Sequence, residues 1–328
     1  MKSIKSFFKE NIIFIIILII ITIITVCPLP YYVQSPGGLT NVNEKIKVGD
    51  LKINGSYNLT YINEYKATLP ILIYSYIKKD FDIYKKKDIL LDNETDNEYN
   101  LRDKLFLDES LSNAVVAAYK KANKKVTIKS NYLYVGYILE DSKTDIKVGD
   151  RILSIDGNNV STKEEVNELL SKNKIGDKIK ITVLNNNKKY ERSAKIYNIN
   201  KKNVIGFIPI EVYDYETKPK INIEMSSNES GSSGGLMLSL AIYDILTKKD
   251  LAKGRTIAGT GTIDKEGNVG KIGGIKYKIK TAAKNKVDVF FIPKSNYKEA
   301  ISVVKKFNLN INLVSVKTLE DAITYLKK

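Results

Sequence analysis

The sequence predicts a mixed α/β (α+β) protein that contains a small β-rich domain and is preceded by one N-terminal transmembrane helix. Three observations carry this expectation. Residues 12–27 are apolar apart from Thr22 and Thr25. Residues 132–184 alternate like strands around one helical stretch. Residues 221–293 run strand, small-residue loop, helix, then strand, glycine-rich hairpin, helix and buried strand. At 328 residues the chain is long enough for two domains.

The apolar run comes first. No charged residue occurs between Glu10 and Glu44. A bilayer core takes ~20 residues, with ~17 as the lower limit. The 16-residue run reaches that length if Asn11 and residues 29–32 sit at the interfaces. Pro28 and Pro30 stop the helix, and Tyr31 and Tyr32 suit an interfacial belt. A cleaved signal peptide needs small residues at its cleavage site, yet the first alanine is Ala67, so retention is expected. Lys2, Lys5 and Lys9 precede the run and no basic residue follows until Lys45. The expectation is a cytoplasmic tail at 1–10, a span at 11–31 contacting membrane lipid, and residues 32–328 outside the cell membrane.

Beyond it, Ser35-Pro36-Gly37-Gly38 reads as a turn or short linker and 51–62 as a strand. Residues 101–121 read as a helix, with Leu105, Leu107, Leu111, Ala114, Val115 and Ala118 near helical spacing. Residues 132–139 are a strand, 161–172 a helix and 178–184 a strand ending in Asn185-Asn186-Asn187. The helix start offers two capping pairs, Ser161 with Glu164 and Thr162 with Glu165.

Composition narrows the chemistry. Hydrophobic residues make 43% and charged residues 27%, a globular balance. With no histidine, Ser-His-Asp triads, Cys-His proteases and His-ligated metals are excluded. With Cys27 alone, there is no intrachain disulfide framework or thiolate cluster, and no metal site is expected. The net charge of +16 comes from 53 basic against 37 acidic residues, but only Arg102, Arg151, Arg192 and Arg255 are arginines. Lysine is a solvated point charge rather than a fork for phosphates and bases, so a basic surface is expected and no nucleic-acid partner.

Asn228-Glu229-Ser230-Gly231-Ser232-Ser233-Gly234-Gly235 lies between a short strand at 221–225 and a helix at 236–247. A serine there meets free amides and the positive end of a helix dipole, which suits a nucleophile with a backbone oxyanion site. A flexible loop is the other reading of the same residues. The second segment runs Ala258-Gly259-Thr260-Gly261-Thr262-Ile263-Asp264, then Gly267-Asn268-Val269-Gly270-Lys271-Ile272-Gly273-Gly274-Ile275-Lys276. Neither Gly-x4-Gly-Lys-Ser/Thr nor Gly-x-Gly-x-x-Gly after a strand occurs, so no ATP and no other cofactor is expected.

Two family resemblances follow. The string Val148-Gly149-Asp150-Arg151-Ile152-Leu153-Ser154-Ile155-Asp156-Gly157 resembles a PDZ domain of the bacterial protease-associated kind. That implies an extended peptide added to a sheet edge, expected at Tyr132, Leu133, Tyr134 and Val135 within the 132–137 strand, with the 161–172 helix as the other wall. A small β-rich domain without a ligand remains the alternative. Gly231-Ser232-Ser233-Gly234-Gly235-Leu236 and Gly273-Gly274-Ile275-Lys276 resemble the two motifs of Lon-type serine proteases. The resemblance implies Ser233 as nucleophile, Lys276 as general base at the family's separation of 43 residues, Thr260 orienting the lysine, and Gly231 and Ser232 in the oxyanion loop. Lys271, Lys278 and Lys280 lie nearby and read as solvated surface lysines; Lys276 is preferred because it follows Gly273-Gly274-Ile275 at the helix start. Ser232 stands where the family has proline and Gly234 where it has alanine, and Ser230 replaces an acid, so no third acidic member carries over.

The whole chain most resembles the membrane-anchored PDZ-containing Lon-type proteases of Gram-positive bacteria. The domains expected are a linker and first part of the protease domain at 32–127, a PDZ domain at 128–197 and the Lon-type domain at 198–328. Glu109-Ser110-Leu111-Ser112-Asn113-Ala114 resembles a helix preceding the Lon nucleophile, implying that the PDZ domain is inserted. The function implied is an ATP-independent, membrane-anchored endopeptidase acting on peptides or proteins outside the cytoplasm, with the PDZ domain docking substrate. An inactive surface scaffold binding peptides, and a cationic binder of anionic polymers, are the competing classes.

Overall fold

The computed structural model describes residues 4–140, 142–199 and 202–328. The chain forms two compact units, Met1–Gly37 with Ile62–Leu91, and Gly38–Tyr61 with Asp92–Lys328.

In the smaller unit, the helices Ile4–Glu10 and Ile12–Val26 are separated at Asn11. The apolar helix is 15 residues long. At ~1.5 Å per residue it reaches ~22 Å, short of a ~30 Å hydrocarbon core. Among the described residues, no helix is long and apolar enough to cross a membrane. This corrects the expected transmembrane helix, and with it the single-pass placement of the chain. The physical reason lies at the end of the run: Cys27 is already extended, with φ −64° and ψ 122°, and Tyr31 opens a strand. The residues counted toward the span therefore cannot lengthen the helix. Of the basic residues before it, Lys2 lies outside the described residues. Tyr31–Asn41 pairs antiparallel with Asp82–Lys85 only from Tyr31 to Gln34. Ser35-Pro36-Gly37-Gly38, expected as a linker, lies inside this strand, and Pro36 falls just past the paired stretch, where a missing amide breaks no bond to Asp82–Lys85.

In the larger unit, four strands run parallel in the order Leu313–Val316, Val289–Pro293, Thr256–Gly259 and the start of Ser56–Lys66. Alternation buries the two faces against different helices. Tyr57, Ile257, Val289 and Phe291 share one core with Leu236, Leu240 and Tyr243 of the helix Gly235–Thr247, and with Ala114, Val115 and Ala118 of the helix Asp96–Lys121. Ala258, Phe290 and Ile292 face the opposite way, onto Ile275, Ile279 and Ala282 of the helix Ile275–Lys284. Residues on both sides of the small β domain thus build one core. The long Asp96–Lys121 helix starts at a capping box, Thr95 with Glu98.

The small β domain has its own core, with Leu133, Val135, Ile152, Ile181 and Val183 packed against Val166 and Leu170. Its helix, Lys163–Ser171, uses the Thr162–Glu165 capping pair. The strand Lys125–Ile138 is not an edge. Phe207–Lys218 pairs along one side of it. On the other side, Leu133 and Tyr134 face Ile152 and Arg151, and Val135 exchanges backbone hydrogen bonds with Asp150 and Gly149 at 2.8 Å. Tyr132, Leu133, Tyr134 and Val135 therefore all pair with Phe207–Lys218 on one side, and Leu133, Tyr134 and Val135 are also bonded on the other, which leaves no free ladder along this stretch. On this side the sheet ends at Phe207–Lys218, where Pro209 sits as proline does on edges.

Candidate active site

Ser233 lies just before the helix Gly235–Thr247 on one face of the parallel sheet, and Lys278 projects from the helix Ile275–Lys284 on the other. They meet because the intervening strand stops at Gly259. Lys278 Nζ is 2.6 Å from Ser233 Oγ. It also donates to Thr260 Oγ1 at 3.1 Å. Thr260, fully buried just past the strand end, donates its own hydroxyl to the Ser233 carbonyl oxygen at 3.2 Å. The Gly261 amide reaches that same oxygen at 2.8 Å. Sites at the carboxyl ends of parallel strands are the rule in open α/β sheets.

The geometry corrects Lys276. On a helix that begins at Ile275, positions 275, 278, 279 and 282 form one inward stripe, and Ile275, Lys278, Ile279 and Ala282 are all buried. Lys276 lies two residues, ~200°, away on that helix, and its ammonium rests 5.5 Å from the Tyr277 ring centroid. The stripe was the signal: Lys278 is i+3 from Ile275 and next to Ile279.

Lys278 is only 4% exposed. Burial holds its pKa down at about 7, because the ammonium loses hydration that the site does not replace. A neutral amine near pH 7, within reach of a serine hydroxyl, can take its proton. Ser233 itself is half-buried.

The loop before Ser233 is held by the Asp96–Lys121 helix. Gly231, at φ +83°, donates its amide to the Asp103 carbonyl at 2.9 Å. That bond ties the Gly231 end of the loop to the helix. The Ser232 carbonyl accepts from Ser110 Oγ at 3.0 Å. Two buried polar side chains hold these loops without any local pattern in the sequence to mark them. One is Ser110. The other is Asn296, fully buried, whose side chain accepts from the Ile272 amide and donates to the Ile272 carbonyl, both at 3.0 Å. It anchors the turn ahead of Gly274, which caps the lysine helix at φ +70°.

Residues 144–327 match the Lon protease (S16) C-terminal proteolytic domain. The chain belongs to that family. It is a family of serine peptidases, and two Lon proteases illustrate the likeness. "Lon protease 2" of Borreliella burgdorferi is 30% identical over 117 residues, 35% of this chain and 14% of that protein. The Lon protease of Metamycoplasma arthritidis is 34% identical over 119 residues, 36% of this chain and 14% of that protein. The match thus spans about a seventh of the length of these relatives. Among solved structures, the PDZ domain of an SdrC-like protein from Listeria monocytogenes is 27% identical, covering 26% of this chain and 93% of that one, with a TM-score of 0.22. Its counterpart from Listeria innocua is 30% identical, covering 24% and 92%, with a TM-score of 0.23.

Proposed function

We propose that the chain is an ATP-independent endopeptidase working through a Ser233–Lys278 dyad. The observation that carries this reading is the 2.6 Å approach of a buried, charge-depleted lysine to a serine at a helix N-terminus. Neutral Lys278 takes the Ser233 hydroxyl proton as Oγ bonds to the scissile carbonyl carbon. The tetrahedral oxyanion is met by backbone amides around Ser233 and by the helix dipole. As the C–N bond breaks, the Lys278 ammonium returns the proton to the leaving amine. Water, deprotonated by the same amine, then hydrolyses the acyl-enzyme. Thr260 orients the lysine. ATP independence is supported by the lack of a phosphate-loop motif in the chain.

Substrate docking belongs to the outer edge of Phe207–Ile210 in this reading. The helix Lys163–Ser171 runs alongside: its first amide donates to Glu211, and its Leu170 carbonyl accepts from Asn203 at 3.3 Å. An extended peptide between them gains backbone bonds from the strand and side-chain contact from the helix. We infer that the small β domain is an insertion within the peptidase domain. The core shared by Tyr57, Ala114 and Leu236 supports this.

The test is turnover of a fluorogenic peptide and labelling by a serine-reactive phosphonate, both without nucleotide. Both should be present in the full chain and lost in Ser233→Ala. Turnover that persists in Ser233→Ala, or that requires ATP, refutes the proposal.

A further inference from the structure

Glycine at 235 is required by a neighbour. A Cβ there would lie 2.8 Å from Ser110 Oγ and 2.9 Å from Ile263 Cγ2. The room so preserved is used by the Ser110 hydroxyl, 2% exposed, which donates to the Ser232 carbonyl oxygen at 3.0 Å. The Gly235 amide reaches the same oxygen at 3.3 Å. That carbonyl belongs to the peptide unit whose nitrogen is Ser233's. In a trans peptide the C=O and N–H point in opposite directions. Pulling the Ser232 oxygen toward the Asp96–Lys121 helix therefore turns the Ser233 N–H away from that helix.

We propose that Ser110 is a positioning residue for peptide hydrolysis: it fixes the plane of the Ser232–Ser233 peptide and so aims the Ser233 amide at the developing oxyanion. The inference rests on the dyad reading of Ser233 and Lys278. Ser110 touches neither substrate nor Lys278; it acts through one peptide group. A donor so aimed stabilises the tetrahedral state and contributes little to ground-state binding.

The full chain and its Ser110→Ala variant should be compared in peptide turnover, in affinity for a peptide boronate that forms a tetrahedral adduct, and in affinity for the product peptide. In Ser110→Ala, kcat should fall by about 10- to 100-fold, less than the ~100- to 1,000-fold seen when an oxyanion donor is removed outright. Boronate affinity should fall in proportion. Product-peptide affinity, and the pH midpoint of kcat near the Lys278 value of about 7, should not move. If Ser110→Ala does not fold, Ser110→Cys, close to serine in size but a weak donor, is judged by the same readouts. The inference is overturned if kcat stays at the wild-type level, if boronate and product peptide lose affinity equally, or if the pH midpoint shifts. The dyad reading fails separately, if wild-type turnover survives Ser233→Ala.

Discussion

Thr260 accepts a hydrogen bond from Lys278 Nζ at 3.1 Å and donates one to the carbonyl oxygen of Ser233 at 3.2 Å. One buried hydroxyl thus fixes the base and the backbone of the nucleophile together. Replacing it with the similarly shaped Thr260→Val should lower kcat by about 10- to 100-fold, the range for losing a hydrogen bond to a charged group. Thr260→Ser should retain most activity. Steady-state peptide hydrolysis by the two variants checks this.

The dyad should behave as a unit. Ser233→Ala and Lys278→Ala should each lower kcat by on the order of 10⁴ or more, and the double variant should be little worse than either. Lys278→Arg should be inactive, because guanidinium keeps its proton at working pH. Lys276→Ala should turn over peptide at close to the wild-type rate, since Lys276 sits ~200° around the helix from Lys278 and rests on the Tyr277 ring. Equal loss in Lys276→Ala would contradict the geometry.

Activity and stability should both rise with pH through the lysine. The neutral amine is the working form, so kcat/KM should increase through a midpoint of about 7. An unfolded lysine titrates at ~10.4. Between these values the unfolded chain binds more protons than the folded one, so stability climbs with pH and is lost as pH falls toward 7. The full window amounts to ~4–5 kcal/mol at ~1.4 kcal/mol per unit. Lys278→Met should be more stable at neutral pH and lack that part of the climb, which denaturant titrations at several pH values would measure.

Docking should separate from chemistry. Ile208 is exposed on an end strand of the small β domain. Ile208→Glu should raise KM for an unfolded protein several-fold while leaving hydrolysis of a short peptide unchanged, because the contact lies remote from the scissile bond. A matching loss on both substrates would count against docking at this edge.

What the residues disclose on their own depends on whether the relevant partner is near in sequence. Ser233 is legible because a small-residue loop before an apolar helix states its environment locally. Lys278 was within reach, since the stripe Ile275, Ile279 and Ala282 includes it, but Lys276 stood beside the Gly-Gly motif. Alternation in 132–137 tells which side chains are buried, not which strands lie alongside. The flanking strand Phe207–Lys218 begins more than 65 residues later, beyond the reach of that alternation. The hydrogen bond from Ser110 to Ser232 joins residues 122 apart, which no local pattern encodes. At the N-terminus hydropathy continues past the point where the helix stops before Pro28 and Pro30, so the apolar run is longer than its helix.

The carboxylate of Glu109 accepts from Lys163 Nζ at 3.0 Å and lies 3.4 Å from the Glu211 amide, next along the helix to Ser110. This bears on how freely the small β domain can be exchanged. A foreign peptide-binding cassette spliced in its place would have to present a cation at the first turn of its helix. Otherwise Glu109 would keep its partial burial without a counter-charge, one residue from the hydroxyl that holds the nucleophile loop. The two modules are in that sense matched parts, and chimeras built by cutting at their boundaries should regain peptidase activity when a lysine equivalent to Lys163 is restored.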